Sequence, residues 1–174
     1  MRLLFAATLT YVVCANARAA PAGDPWIATT NNDLAAVHDL LEDNHPGPVD
    51  AQNPAFKEWL ESGLHQAEQR ANGAKSLEDY QRALRFYANG FHDGHIGVGF
   101  HYNPRDDEWP GFVAGTTSAG VAFAEADAGV QQGATLISCD GQSVDALLAA
   151  RADPYFWNAE IPHQRYERAY HLFY

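Results

Sequence analysis

At Gly90 the chain changes texture, and that change constrains its fold more than any other feature. Before it, apolar residues recur at helical spacing in three runs. After it, glycines multiply, the helical period is lost, and short apolar segments alternate with turn residues. The first run carries Leu34, Val37, Leu40 and Leu41 between Asn31 and Asn44 and is stopped by His45-Pro46-Gly47-Pro48. The second opens on Asn53-Pro54, a capping residue followed by proline at the first helical position. It carries Phe56, Trp59, Leu60, Leu64 and Ala67 as far as Asn72-Gly73. In the third, Ser76 is a cap with Asp79 placed as the acidic member of a capping box. Leu77, Tyr80, Ala83, Leu84 and Tyr87 form its inward face up to Asn89-Gly90. Three amphipathic helices on short connections predict a small bundle.

Past Gly90, strands are predicted over 95–102, 120–125 and 134–139, the last closed by the turn dipeptide Asp140-Gly141. Ser143 caps a short helix carrying Val144, Leu147 and Leu148. The polar stretch 103–108 is the expected boundary between the two halves. The fold class is therefore α+β, a three-helix bundle followed by a small β-rich unit. A length of 174 residues allows one sizeable domain or two small ones.

The beginning of the chain has a separate logic. Met1-Arg2 supplies a positive start, the apolar stretch from Leu3 to Ala15 follows, and Ala17-Arg18-Ala19 is a small-residue cleavage site. Residues 1–19 thus read as a secretory signal peptide cleaved after Ala19, and the protein is expected to be secreted or periplasmic. The apolar stretch, about 13 residues, falls short of the roughly 20 that span a bilayer, and no membrane span is predicted elsewhere. Val13 before Cys14 disfavours lipidation, and Cys139, left alone after cleavage, cannot form an internal disulfide. With 11 Lys and Arg against 22 Asp and Glu, the net charge of -11 removes the phosphate-neutralising surface that nucleic-acid binding requires.

Three short motifs resemble the N-terminal part of the S41 serine peptidases, the tail-specific or C-terminal processing peptidases and their tricorn-like relatives. They are Asp33-Leu34 at the opening of the first helix, Asn44-His45-Pro46-Gly47 at its close, and Phe91-His92-Asp93-Gly94-His95 after the third helix. The stretch 133–141 resembles that family's PDZ-like unit. The resemblance implies a helical region over 24–102 ending in the Asp-Gly-His segment and a first strand, then a PDZ-like unit over 108–155. It implies that 156–174, with a helix starting near Gln164, leads toward a catalytic domain. It further implies a polypeptide substrate, or a peptide C-terminus bound by strand addition, with the glycine-bearing loop 109–115 either receiving the carboxylate or serving as a plain surface connection. No cofactor and no metal are implied.

His95 is the residue singled out as general base, because Asp93-Gly94-His95 resembles, with glycine in the middle, the Asp-Ser-His segment whose histidine is the base in the tricorn-like members, and an imidazole accepts and returns protons near neutral pH. In the processing-peptidase branch a serine and lysine pair acts instead, and the histidine would be structural. Asp93 is its orienting partner, and the ordinary alternative is that the two merely order a turn. In the family the nucleophilic serine follows the PDZ-like unit. Ser118, in a glycine- and threonine-rich stretch, is followed instead by the strand pattern of Val121 and Phe123 and reads as a turn. Lys57 and Lys75 both precede it, so no serine and lysine dyad forms in family order. His92, His95 and His101 lack a recognised metal spacing, and Cys139 reads as a buried structural thiol. The chain by itself is therefore expected to be inactive as a peptidase. The competing expectations are a secreted, non-enzymatic module that binds a peptide or protein, and a helical scaffolding domain.

Overall fold

A computed structural model describes residues 24–101, 110–127, 129–156 and 168–173; the expected signal segment 1–19 and the expected boundary 103–108 lie outside them. The fold is α+β, with helices and two small antiparallel sheets.

Helix α1, Pro25–Asn44, starts well before the predicted Asn31. Asp24 caps it, its Oδ1 accepting from Trp26 N at 3.0 Å, and Pro25 occupies the first turn. The run Thr29-Thr30-Asn31-Asn32 does not break it. Thr30 is fully buried, and its hydroxyl donates back to Trp26 O at 2.6 Å, so its polarity is satisfied within the helix. Asp33-Leu34 consequently lies inside α1 and not at its opening.

Helix α2 runs Pro54–Ala71 and α3 runs Leu77–Asn89, as the caps and breakers predict. Asn53 precedes α2 without a side-chain capping bond. Ser76 does cap α3, its Oγ accepting from Asp79 N at 3.1 Å. Asp79 Oδ2 reaches back to Ser76 Oγ at 2.9 Å and to Lys75 N at 3.0 Å, a capping box shifted by one residue. These bonds, that from Lys75 N first, hold the Asp79 carboxyl below its ordinary range. Leu77, predicted on the buried face, is exposed because the first position of α3 projects past the edge of the packing.

The three helices close on one core of Leu34, Phe56, Leu60, Leu84, Tyr87 and Phe91, with small residues such as Ala67 and Ala71 letting the helices approach. The two tyrosines that reach into it are paired: the Tyr87 hydroxyl donates to Leu60 O at 2.9 Å, and Tyr80 donates to Asp33 Oδ2 at 2.7 Å. Burial, with the Asp33 carboxylate adding to it, pushes the Tyr80 phenol up to about 12. Gly63 and Gly90 are required here, because a Cβ on either would overlap the Trp59 indole.

The predicted strand over 95–102 belongs to no ladder among the described residues. Its alternation serves packing instead: Ile96, Val98 and Phe100 lie against the helical core, with Phe100 edge-on to Tyr80 at 5.7 Å.

The β-rich part is built on the hairpin β1, Phe112–Thr117, and β2, Gly120–Ala126, with a bulge at Val113/Ala114. On the far side of β2, Leu136 N donates to Val121 O at 2.8 Å and Phe123 N to Ala134 O at 3.1 Å, around an isolated bridge between Ala122 and Thr135. The predicted strand over 134–139 shrinks to β3, Ser138–Cys139, paired with β4, Gln142–Ser143. Asp140 and Gly141 turn that hairpin with φ of 51° and 77°, as an Asp-Gly dipeptide favours. Cys139 is exposed, not buried, because this two-residue hairpin stands at the surface beside exposed Ile137.

Helix α4, Val144–Arg151, is capped by Ser143 Oγ, which accepts from Ala146 N at 3.2 Å. It buries Val144 and Leu148 against Ala114, Val121, Ala152 and Ala169 in a second core. The one-turn helix α5, Asp153–Phe156, follows. From the predicted helix beginning at Gln164, residues 164–167 and 174 lie outside the described residues, and Tyr170–Leu172 form a single 3-10 turn. Buried Ala169 and the fork of Arg168 on the Asp153 carboxylate fix that turn in place. The two cores meet where α5 packs on α3, with Asn89 Nδ2 donating to Asp153 O at 3.2 Å.

Candidate functional site

The chain leaves α3 through a tight turn. Phe91 is buried, its ring 4.7 Å from Phe56 and 5.2 Å from Tyr87, and it anchors the exit. His92 then takes a left-handed φ of 55°, a conformation histidine tolerates better than most side chains. Asp93 opens a second turn, closed by Ile96 N donating to Asp93 O at 3.1 Å. Its Oδ1 accepts the backbone N–H of His95 at 2.9 Å and the ring Nδ1 of His95 at 3.0 Å.

The second oxygen faces another element. Asp93 Oδ2 lies 3.7 Å from His45 Nε2, at the end of α1. His45 is held by stacking face to face on Phe56, 4.6 Å between centroids, and by Gly47 N donating to its Nδ1 at 3.0 Å. Two of the three resembled motifs thus meet at one carboxylate. His95 N–H bonding comes first among the forces that keep Asp93 ionised. Burial works against it, and the His95 ring and the charges of His95 and His45 assist, so the carboxyl titrates below its ordinary 3.8.

The hydrogen bonds assign opposite tautomers to the neutral rings. His45 accepts at Nδ1 and so carries its proton on Nε2, toward Asp93. His95 donates from Nδ1 and keeps its Nε2 lone pair free. An imidazole with a carboxylate behind it and an open Nε2 has the arrangement a general base needs. The His95 side chain is 95% exposed, so Nε2 opens onto solvent.

The serines are placed elsewhere. Ser62 donates to Glu58 O at 2.8 Å inside α2, Ser76 and Ser143 are caps, and Ser138 is on β3. Ser118 sits in the β1–β2 turn, where Thr117 and Gly120 make the closing bond, and a strand follows it. The carboxylate-binding loop expected over 109–115 is largely strand, since β1 begins at Phe112. Sequence reasoning missed His45 as a member of the site; a histidine directly after a helix and before Pro-Gly was the available signal.

His92, His95 and His101 do not converge as metal ligands. Among the described residues the group with ligand atoms within 4.8 Å of one another is His38, Asp39 and Glu42 on α1. His38 Nδ1 meets Asp39 Oδ1 at 3.1 Å, and its Nε2 faces Glu61 Oε1 on α2 at 3.6 Å, a charge contact. Burial would lower the imidazole, but Asp39, Glu61 and Glu42 outweigh it and raise it above 6.5. Because the folded value is the higher, the stabilisation is complete below pH 6.5 and is lost as pH rises through that raised value. A histidine NMR titration should therefore place His38 above 6.5, and Glu61→Gln should bring the midpoint down. An unchanged midpoint in that variant would show that Glu61 does not act on His38.

Compared with known proteins, the chain matches no family model, no curated protein and no solved structure.

Proposed function

We propose that this chain is part of an exported S41-type serine peptidase, contributing the general base His95 and the peptide-binding unit but not the nucleophile. In this reading 1–19 is a cleaved signal peptide, the three N-terminal helices are the family's helical bundle, and the β-rich part is its PDZ-like unit. One observation carries the reading: Asp93 joins His95 to His45, so that two motifs far apart in the sequence converge on one ionised carboxylate. A turn that needed only local order would be satisfied by the Asp93–His95 bonds alone. His95 would take the proton from a serine hydroxyl as it attacks the peptide carbonyl and return it to the leaving amine. That serine is not among those described, each of which is a cap, a helix or strand residue, or in the β1–β2 turn.

A second reading, a secreted module that binds a peptide or protein without cleaving it, rests on the β1–β2 hairpin. In that reading an extended peptide would add to the β-rich part as a further strand. Hydrolysis separates the two. Purified gene product, expressed from its own gene and incubated with an unstructured polypeptide, is expected to cleave it, and Ser118→Ala should leave the rate unchanged. Binding without cleavage would replace the peptidase reading with the module.

A further inference from the structure

Arg85 on α3 is a half-buried cation with no ion-pair partner among the described residues. Arg82 pairs with Glu78 at 2.8 Å, and Arg168 is forked on Asp153, the carboxylate at the start of α5. Arg85 is half-buried, with Phe100 at 5.3 Å and Phe156 at 4.6 Å from its guanidinium carbon, and it makes no hydrogen bond or ion pair to any described residue. Burial already pulls its pKa below the ordinary arginine value. The chain carries a net charge of -11, yet among the described residues no acidic side chain is brought to this cation.

Beside it lies a cleft of about 270 Å³ between α3, the segment after His95, and α5. Arg85, Asn89 and Tyr155 supply its polar lining, and Ile96, Val98 and Phe156 its apolar walls. The Tyr155 hydroxyl, like the Arg85 guanidinium, has no hydrogen-bond partner among the described residues. Rings that hold the guanidinium in place reduce the freedom lost when its planar fork engages two oxygens.

We propose that this cleft binds a small carboxylic acid with a single planar ring, the carboxylate forked on Arg85 and the ring against Phe156, Ile96 and Val98. One arginine neutralises one negative charge, so a monoanion fits where a phosphate dianion would leave charge uncompensated against apolar walls. The volume admits one ring and little more. The site shares no residue with His45, Asp93 and His95, so it stands or falls independently of the peptidase reading.

The test is titration of the purified protein at low salt with benzoate, with its neutral isostere benzamide and with inorganic phosphate, read by calorimetry and by amide NMR shifts. Saturable benzoate binding is expected, with shifts at Ile96, Val98 and Phe156 and at least tenfold weaker binding of benzamide and phosphate. Arg85→Met keeps the apolar stem and should weaken benzoate at least tenfold. Arg85→Lys keeps the charge without the fork and should fall between. Absence of saturable benzoate binding, benzamide or phosphate binding as well as benzoate, shifts confined to other residues, or an Arg85→Met protein that binds normally would each overturn the proposal. Should Arg85→Met fail to fold, the three wild-type titrations and the shift map still decide it.

Discussion

Trp59→Ala is expected to destabilise the protein by about 3–5 kcal/mol, the range for deleting a large aromatic side chain from a core. The indole is a spacer between α2 and α3: it lies against Gly63 of its own helix and against Gly90 at the end of α3, and meets Phe86 edge-on at 5.6 Å. It also has a polar duty, because Nε1 donates to Tyr87 O at 2.9 Å, a carbonyl in the last turn of α3. Alanine removes the packing and the donor together. Phenylalanine keeps most of the packing and loses the bond, so Trp59→Phe should cost only about 1 kcal/mol more than a pure size change. Chemical denaturation measures both. A loss below about 1 kcal/mol for Trp59→Ala would mean that the two glycines are not packed on the indole.

The larger effect concerns chemistry. If His95 is the base, His95→Ala in the active gene product should lower kcat by about 10²–10⁴-fold, the usual contribution of a positioned proton acceptor. KM should hardly change, because the exposed ring makes no other hydrogen bond among the described residues that a substrate would feel. Asp93→Ala removes the acceptor that holds the ring and should lower kcat less than His95→Ala. His45→Ala should be milder still, since His45 touches Asp93 across 3.7 Å and does not face the open Nε2 of His95. Steady-state kinetics on the three variants gives the order. A His95→Ala protein that keeps more than half its rate would assign His95 to the turn alone.

The parts of this fold that could be read from the sequence are those set by local chemistry. Ser76 with Asp79, Ser143, and Asn53-Pro54 each mark a helix start through residues a few positions apart, and α2, α3 and α4 begin where they point. The start of α1 was hidden because Thr30 looks like a breaker until its bond to Trp26 O is seen. The alternation of Ile96, Val98 and Phe100 was real but ambiguous, since the same period suits a strand and a segment laid on helices. Strand β1 was masked by Gly115, Thr116 and Thr117, residues that read as loop until β2 pairs with them. In the site, the Asp93–His95 pair was legible because two residues of separation suffice for an Asx turn. His45 joins it only through the packing of α1, α2 and the end of α3, which no local pattern encodes.

The central claim is that Asp93 holds His95 in the Nδ1-protonated tautomer, opposite to the one the Gly47 N–H imposes on His45, and thereby leaves His95 Nε2 as a free base. Long-range ¹H–¹⁵N NMR of the imidazole rings, at a pH where both are neutral, reads this directly. The account predicts a proton on Nδ1 of His95 and on Nε2 of His45, with the His95 preference lost in Asp93→Ala. His95 protonated on Nε2 in the wild-type protein, or a tautomer indifferent to the loss of Asp93, would contradict it.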